Sequence, residues 1–199
     1  MYSQAILGKA RTLGLLFSLS LSCLLTSAQV RYSGAAAALL VSGTSTLHDW
    51  TMKSAEAECT AIFDFDAAGQ ISGLTKLNFT TPVNSLKSDH KAMDKNAYKA
   101  LKTDKAPVII YTLSSVNVSP GTGGTVTVTC TGKLTIAGAT RDAQVVAVCK
   151  SNADNTISVA GTEKISMKDF SVDPPTFMLG TVKTGNDITL AFNLTLKRS

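Results

Sequence analysis

Residues 125–136 read TVTVTCTGKLTI, and this stretch decides the fold class. Apolar or small residues occupy every second position from Val126 to Ile136, and threonine or lysine occupies the positions between them. This period of two predicts a β-strand with one buried and one solvated face. The same alternation returns at 143–149 and at 187–197. The sequence therefore predicts a protein built mainly of β-strands.

Further strands are expected on either side of this segment. Weaker alternation occurs at 57–65, 77–83, 109–113 and 157–159, and clusters rich in glycine, aspartate and asparagine separate these runs. Together with a first strand region at 40–53, they predict an all-β fold of about eight mostly antiparallel strands. A sheet of that length tends to curl, and closure into a barrel removes its exposed edges.

One segment interrupts the strand pattern. Residues 88–103 read SDHKAMDKNAYKALKT, with no glycine, proline or β-branched residue before the final threonine. The serine and aspartate at its start can cap a helix, and Met93, Ala97 and Leu101 recur at helical spacing. We predict a short helical insert near residues 88–103 that lies across one end of the barrel. It serves either a binding site or simply the connection between two strands.

The first 28 residues carry the features of a secretory signal peptide. Two basic residues precede an apolar run from Leu13 to Leu25, and small residues follow it up to Ala28. The run is too short for a membrane-spanning helix, which needs about 20 apolar residues. We therefore expect residues 1–28 to be removed and residues 29–199 to form one domain. The product would be exported to a periplasmic or extracellular space, with no transmembrane span in the mature chain.

Charge and composition exclude several classes of protein. The chain has 199 residues, of which 44% are hydrophobic and 17% are charged, and this balance is too apolar for a disordered chain. Its formal net charge of +5 falls to +3 without residues 1–28, because Lys9 and Arg11 leave with the leader. No cluster of basic residues interleaved with aromatics occurs, so we expect no nucleic-acid partner.

The sequence offers little for catalysis or metal binding. Its only histidines are His48 and His90, and no HExxH, CxxC, GxSxG or phosphate-loop pattern occurs. His48 and Asp49 are adjacent, and adjacent strand residues point to opposite faces, so they would not form a catalytic pair. We therefore expect no catalytic residue, no metal site and no cofactor.

Three cysteines remain after removal of the leader, and two of them allow a disulfide. If Ala137 pairs with Asp142 around a four-residue turn, Cys130 lies directly opposite Cys149. Opposite strand positions have Cβ atoms about 4.5–5.5 Å apart, slightly wide for a disulfide but adjustable. An exported protein can keep such a bridge. A Cys130–Cys149 disulfide and two buried thiols are equally compatible with the sequence, and Cys59 would be a small buried residue.

Several motifs in a fixed order resemble one known family. They are NSLK at 84–87 before the helical segment, KAPVI at 105–109, GKLTIAGATR at 132–141, and MKDFSV at 167–172 before two prolines. The sequence is similar in these motifs to the YceI family, which comprises secreted or periplasmic proteins with a lipocalin-like barrel. The resemblance covers about residues 40–198.

The resemblance implies a non-catalytic protein that holds a polyisoprenoid, an isoprenoid quinone or a similar amphiphilic lipid in the barrel tunnel. A barrel of about eight strands is wide enough for packed side chains or for one slender ligand. Small inward residues would also fit a collapsed barrel. The alternative is a secreted β-sandwich that binds a protein or a glycan on its surface. By strand parity, the tunnel lining would consist of Ala61, Phe63, Leu77, Phe79, Ile109, Tyr111, Leu134, Val145, Ala147, Leu190 and Phe192.

Overall fold

The computed structural model describes residues 28–199, with the side chains of 35–38 and 178 left out. The predicted signal peptide lies outside these residues, apart from Ala28. Ten strands and one α-helix, α1 (Lys91–Ala100), make up the regular structure. The strands are β1 (Ala28–Ser45), β2 (Trp50–Ser54), β3 (Glu58–Phe65), β4 (Ile71–Pro82), β5 (Val108–Pro120), β6 (Thr125–Ile136), β7 (Ala139–Ser151), β8 (Ile157–Ser166), β9 (Thr176–Phe177) and β10 (Val182–Arg198).

The strands form one antiparallel sheet that closes on itself. Its order is β2-β1-β3-β4-β5-β6-β7-β8-β10-β9, and an additional pairing of β1 with β10 completes the ring. Eight strands therefore build a closed barrel. The short strand β2 pairs with residues 39–43 of β1, and β9 pairs with residues 182–183 of β10. The predicted all-β antiparallel barrel is confirmed. The β-sandwich architecture is wrong, because β1 and β10 leave no gap between two sheets.

The turn between β6 and β7 differs from the sequence-based expectation. Ile136 pairs with Ala139, so the turn has two residues, Ala137 and Gly138. Both have positive φ, 51° and 83°, as required by the type I′ turn that matches the twist of a hairpin. Alanine is unusual at a positive φ, and the four-residue turn expected at 138–141 is wrong.

This shorter turn corrects the proposed cysteine pairing. Cys130 lies opposite Val145, and Cys149 lies opposite Val126. All three cysteines in the described part of the chain, Cys59 included, are free and buried. The register on which the Cys130–Cys149 disulfide depended is therefore wrong. The observed register differs from the expected one by an even number of residues, so both side chains still face the inside of the barrel.

Two pairs of neighbouring strands diverge before their ends. The pairing of β7 with β8 runs from Ser151–Ile157 to Ala147–Gly161, and no pairing between them follows in the described chain. This divergence lies at the barrel end that carries the β6–β7 turn. β4 and β5 diverge in the same way at the opposite end, beyond Asn78–Thr112. A 3₁₀ turn at Met167–Phe170 follows β8 and packs beside β7.

Helix α1 confirms the predicted helical insert. The N–H and Oγ of Ser88 both donate to one carboxylate oxygen of Asp94 at 2.7 Å, and this carboxylate is buried near the positive helix start. The Tyr98 hydroxyl donates to the carbonyl of Leu86 at 2.7 Å and ties the helix to the chain before it. No helix in residues 28–199 is long and apolar enough to cross a membrane.

Candidate ligand-binding cavity

A cavity of about 390 Å³ lies at the barrel end beneath α1, and we call it the mouth cavity. One wall is the apolar side of the helix, and the floor is formed by the inward side chains at the strand ends. Its lining comprises Val41, Ser45, Leu47, His48, Trp50, Met52, Leu86, His90, Ala92, Met93, Ala97, Ala100, Leu101, Ile136, Ile165, Met167, Phe170, Val172, Pro175, Phe177, Val182, Thr184 and Ile188.

Two loops complete the rim of the mouth cavity and hold each other in place. The N–H of Thr46 donates to the carbonyl of Lys183 at 3.0 Å, and the N–H of Lys183 donates to Thr46 Oγ1 at 3.1 Å. Ser45 Oγ donates to the carbonyl of His48 at 2.6 Å and closes the first loop. The Trp50 indole N–H donates to the Thr44 carbonyl at 3.0 Å, which keeps the ring over the cavity.

A second, smaller cavity of about 110 Å³ lies inside the barrel, and we call it the barrel cavity. Its lining is apolar apart from Tyr111 and Glu163, which lies where β7 and β8 diverge. The lining residues are Leu39, Cys59, Phe63, Leu74, Leu77, Phe79, Tyr111, Val128, Cys130, Leu134, Val145, Ala147, Cys149, Val159, Glu163, Leu190, Phe192, Leu194 and Leu196.

The two cavities lie end to end along the barrel axis. On β1, Leu39 lines the barrel cavity and Val41 lines the mouth cavity; on β6, Leu134 and Ile136 do the same. β8 and β10 repeat the pattern. Positions two apart on a strand face the same way and are separated by about 7 Å. A ligand that enters at the mouth therefore meets the barrel cavity directly below it.

The structure separates the predicted lining residues into two groups. Nine of them line the barrel cavity: Phe63, Leu77, Phe79, Tyr111, Leu134, Val145, Ala147, Leu190 and Phe192. Ala61 is buried in the core and Ile109 is half-buried against it, and neither lines a cavity. Contact of any of these residues with a ligand stays a prediction.

The larger part of the site was missed by strand parity. The mouth cavity is built by strand ends together with the helix and the connecting loops, and loops have no periodic pattern from which an inward face can be deduced. The one usable signal was the helical spacing of Met93, Ala97 and Leu101, which all line the mouth cavity. That spacing indicated a buried helix face but not the space left beneath it.

The Tyr111 hydroxyl inside the barrel is hydrogen-bonded, and burial keeps the three thiols neutral. The Tyr111 hydroxyl donates to the carbonyls of Cys130 at 3.1 Å and Ala143 at 3.4 Å, and burial raises its pKa. Burial also raises the pKa of the Cys59 and Cys149 thiols to about 12 and that of Cys130 to about 11. Within residues 28–199, no three His, Cys, Asp or Glu side chains group as metal ligands.

The raised thiol pKa values predict slow alkylation of the folded protein. At pH 8, a thiol with the ordinary pKa of 9.0 is about one-tenth thiolate, whereas a pKa of about 12 lowers that fraction roughly 1,000-fold. Iodoacetamide should therefore modify native Cys59 and Cys149 about 1,000-fold more slowly than in urea, as measured by mass spectrometry. Rapid native modification would contradict this, and incomplete modification in urea without reductant would reveal a disulfide.

A protein-family model described as a YceI-like domain matches residues 29–196. The chain belongs to the YceI-like family. Solved structures agree with this assignment: a polyisoprenoid-binding domain from Saccharophagus degradans superimposes with a TM-score of 0.62 at 14% identity, covering 86% of this chain and all of that one. A search of curated proteins finds no match.

Two further solved structures share the fold. Burkholderia cenocepacia BcnA superimposes with a TM-score of 0.61 at 19% identity, over 79% of this chain and 95% of that chain. The Campylobacter jejuni YceI protein gives 0.52 at 22% identity, over 71% and 81% of the two chains. At these identities the likeness concerns the barrel and its helix, and the side chains in the cavities have to be interpreted from this chain itself.

Proposed function

We propose that this YceI-like protein is an exported, non-catalytic carrier that holds a polyisoprenoid, an isoprenoid quinone or a similar amphiphilic lipid. The observation that carries the proposal is the mouth cavity of about 390 Å³, aligned with the barrel cavity below it. Its volume lies in the range of about 300–1,000 Å³ typical of ligand pockets. Family membership and the Saccharophagus domain described as polyisoprenoid-binding support the same ligand class.

The distribution of polar groups favours one orientation of the lipid. Ser45, His48, His90 and Thr184 line the mouth cavity, whereas the Tyr111 hydroxyl in the barrel is turned to backbone carbonyls. Each methylene that leaves water gains about 0.8 kcal/mol, so the hydrocarbon tail is best placed deep in the barrel. The polar end of the lipid then remains at the rim, where it keeps contact with water.

The side chains around the mouth cavity favour binding over catalysis. Hydrolytic or transfer chemistry requires a base or nucleophile held by a further polar group. His48 Nδ1 instead lies 2.6 Å from the backbone carbonyl of Asp49, and among the described lining residues of the mouth cavity no carboxylate occurs. The cavity therefore has an apolar lining with few polar contacts, which is suited to holding a lipid without reacting with it.

Mass spectrometry of gently purified protein tests the proposal. The full chain, expressed in a host with a secretory pathway, should yield a mature form that begins at Gln29. Under native conditions this form should carry one lipid molecule, which solvent extraction releases for identification. After delipidation, it should bind a fluorescent isoprenoid. A lipid-free native mass together with no isoprenoid binding would contradict the carrier function.

A further inference from the structure

Two leucine side chains project into solvent at the rim of the mouth cavity. Leu47 is 67% exposed and Leu179 is fully exposed. They sit on the loop after β1 and on the segment before β10, which are joined by hydrogen bonds of Thr46 with Thr181 and with Lys183 at the start of β10. Leu179 has a φ of 55°, a left-handed conformation that disfavours a branched side chain. Neither packing nor backbone geometry accounts for leucine at this tip, so the side chain points to a role outside the fold.

A lysine-rich segment lies at the same end of the barrel. Between residues 87 and 105, six exposed lysines stand beside two exposed aspartates, because Asp94 is buried against Ser88. With all three aspartates counted, the segment has a net charge of +3, which equals the net charge of residues 29–199. These lysines are Lys87, Lys91, Lys95, Lys99, Lys102 and Lys105.

We propose that the mouth end docks on the surface of an anionic phospholipid bilayer, with Leu47 and Leu179 inserted among the acyl chains and the α1 lysines facing lipid phosphates. Apolar tips surrounded by basic side chains are the combination that binds such surfaces. The docked protein directs the opening of the mouth cavity toward the bilayer. The inference rests on the proposed function only for its purpose: docking would let a lipid pass from the bilayer into the carrier without crossing water.

A bilayer fits this surface better than a protein partner does. Two separated loop tips and a basic helix do not form the continuous apolar area that stable protein interfaces bury. The Lys102 ammonium donates to the Ser171 carbonyl at 3.2 Å, which fixes the helix end against the wall of the mouth cavity. The lysines and the leucine tips are therefore held at the same end of the barrel and can reach a flat surface together.

Flotation with phospholipid vesicles tests the docking surface without any isoprenoid. The purified protein should bind phosphatidylcholine vesicles that contain phosphatidylglycerol about 10-fold better than pure phosphatidylcholine, and salt should weaken this binding. Leu47→Ser combined with Leu179→Asn should lower it at least about 10-fold. Asparagine tolerates the left-handed conformation, so the double variant keeps the loop. The exposed residue Val148, on the outer wall of β7, provides the control V148S, which should bind normally.

Charge is tested with a matched pair of lysine variants. Lys95→Gln with Lys99→Gln should weaken binding to the anionic vesicles about 10-fold, whereas Lys76→Gln with Lys150→Gln should not, because Lys76 lies midway along the outer barrel wall and Lys150 lies at the opposite end. Wild-type protein that does not float, or leucine variants that float as well as wild type, would overturn the docking surface. Isoprenoid affinity measured in vesicle-free solution should be unchanged in the lysine variants and in Leu179→Asn alone, because none of these residues lines the mouth cavity. Failure of the carrier function is therefore detected separately.

Discussion

Replacing Ala97 by tryptophan should abolish isoprenoid binding while the protein stays folded. Ala97 lies on the side of α1 that faces the mouth cavity of about 390 Å³, and an indole there occupies the space through which a ligand enters. We expect the affinity to fall at least about 50-fold, equivalent to about 2.3 kcal/mol of binding free energy. The intrinsic helix propensities differ by less than about 1 kcal/mol, so the thermal midpoint should change little. Fluorescent-isoprenoid titration and thermal melting measure the two effects.

The control for this variant lies on the same helix. Lys95 is exposed on the outer side of α1, so Lys95→Trp adds the same indole without entering the mouth cavity. It should leave the affinity within about twofold of wild type, a free-energy change of about 0.4 kcal/mol. Equal affinities of the Ala97→Trp and Lys95→Trp variants would place the ligand away from the mouth cavity.

Replacing Gly132 by valine should unfold or severely destabilise the barrel. A Cβ at Gly132 would lie 2.7 Å from Cζ and 2.8 Å from the hydroxyl of Tyr111, and would also collide with the backbone carbonyl of Thr112. The displaced tyrosine would lose its hydrogen bonds to Cys130 and Ala143. Overpacking costs about 1–3 kcal/mol and each hydrogen bond about 0.5–1.5 kcal/mol, so we expect a loss of about 3–5 kcal/mol in urea unfolding.

Two variants separate the causes of this loss. Thr131→Val, at the neighbouring outward position of the same strand, adds the same side chain without the collision and should change stability by less than about 0.5 kcal/mol. Tyr111→Phe removes only the hydroxyl and should cost about 1 kcal/mol. A Gly132→Val protein as stable as wild type would contradict this prediction, because both the Tyr111 ring and the Thr112 carbonyl would then have moved aside without cost.

The sequence was sufficient to predict the barrel because most of its strands carry their own signal. The first strand region was expected at 40–53, whereas the structure has β1 at Ala28–Ser45 and β2 at Trp50–Ser54. Alternation in TVTVTCTGKLTI identifies the buried face directly, and the helical spacing of Met93, Ala97 and Leu101 identifies the insert. The register between β6 and β7 was not predicted correctly. The Ala137–Gly138 turn has alanine at a positive φ, which local preferences do not suggest, so the pairing of Cys130 was misplaced.

The binding site was predictable only where it coincides with strand faces. Tyr111, Ala147 and Phe192 follow strand parity and line the barrel cavity. The mouth cavity depends instead on how the loops around Leu47 and Phe177 fold back over the strand ends. That arrangement is set by a few long-range hydrogen bonds, such as Thr46 to Lys183, between residues 137 positions apart. No local pattern encodes contacts of that separation.

Where β7 and β8 diverge, the barrel wall can widen without loss of strand pairing. Over residues 139–146 the two strands are not joined, and Glu163 stands in the gap. Spreading the wall there ruptures no backbone hydrogen bond, whereas spreading β6 from β7 would break the ladder from Thr125–Lys150 to Ile136–Ala139. Widening the barrel there would displace the 3₁₀ turn at Met167–Phe170, which packs beside β7, but would leave the ladders of the sheet intact. A ligand thicker than the barrel cavity of about 110 Å³ would therefore be accommodated on this side first.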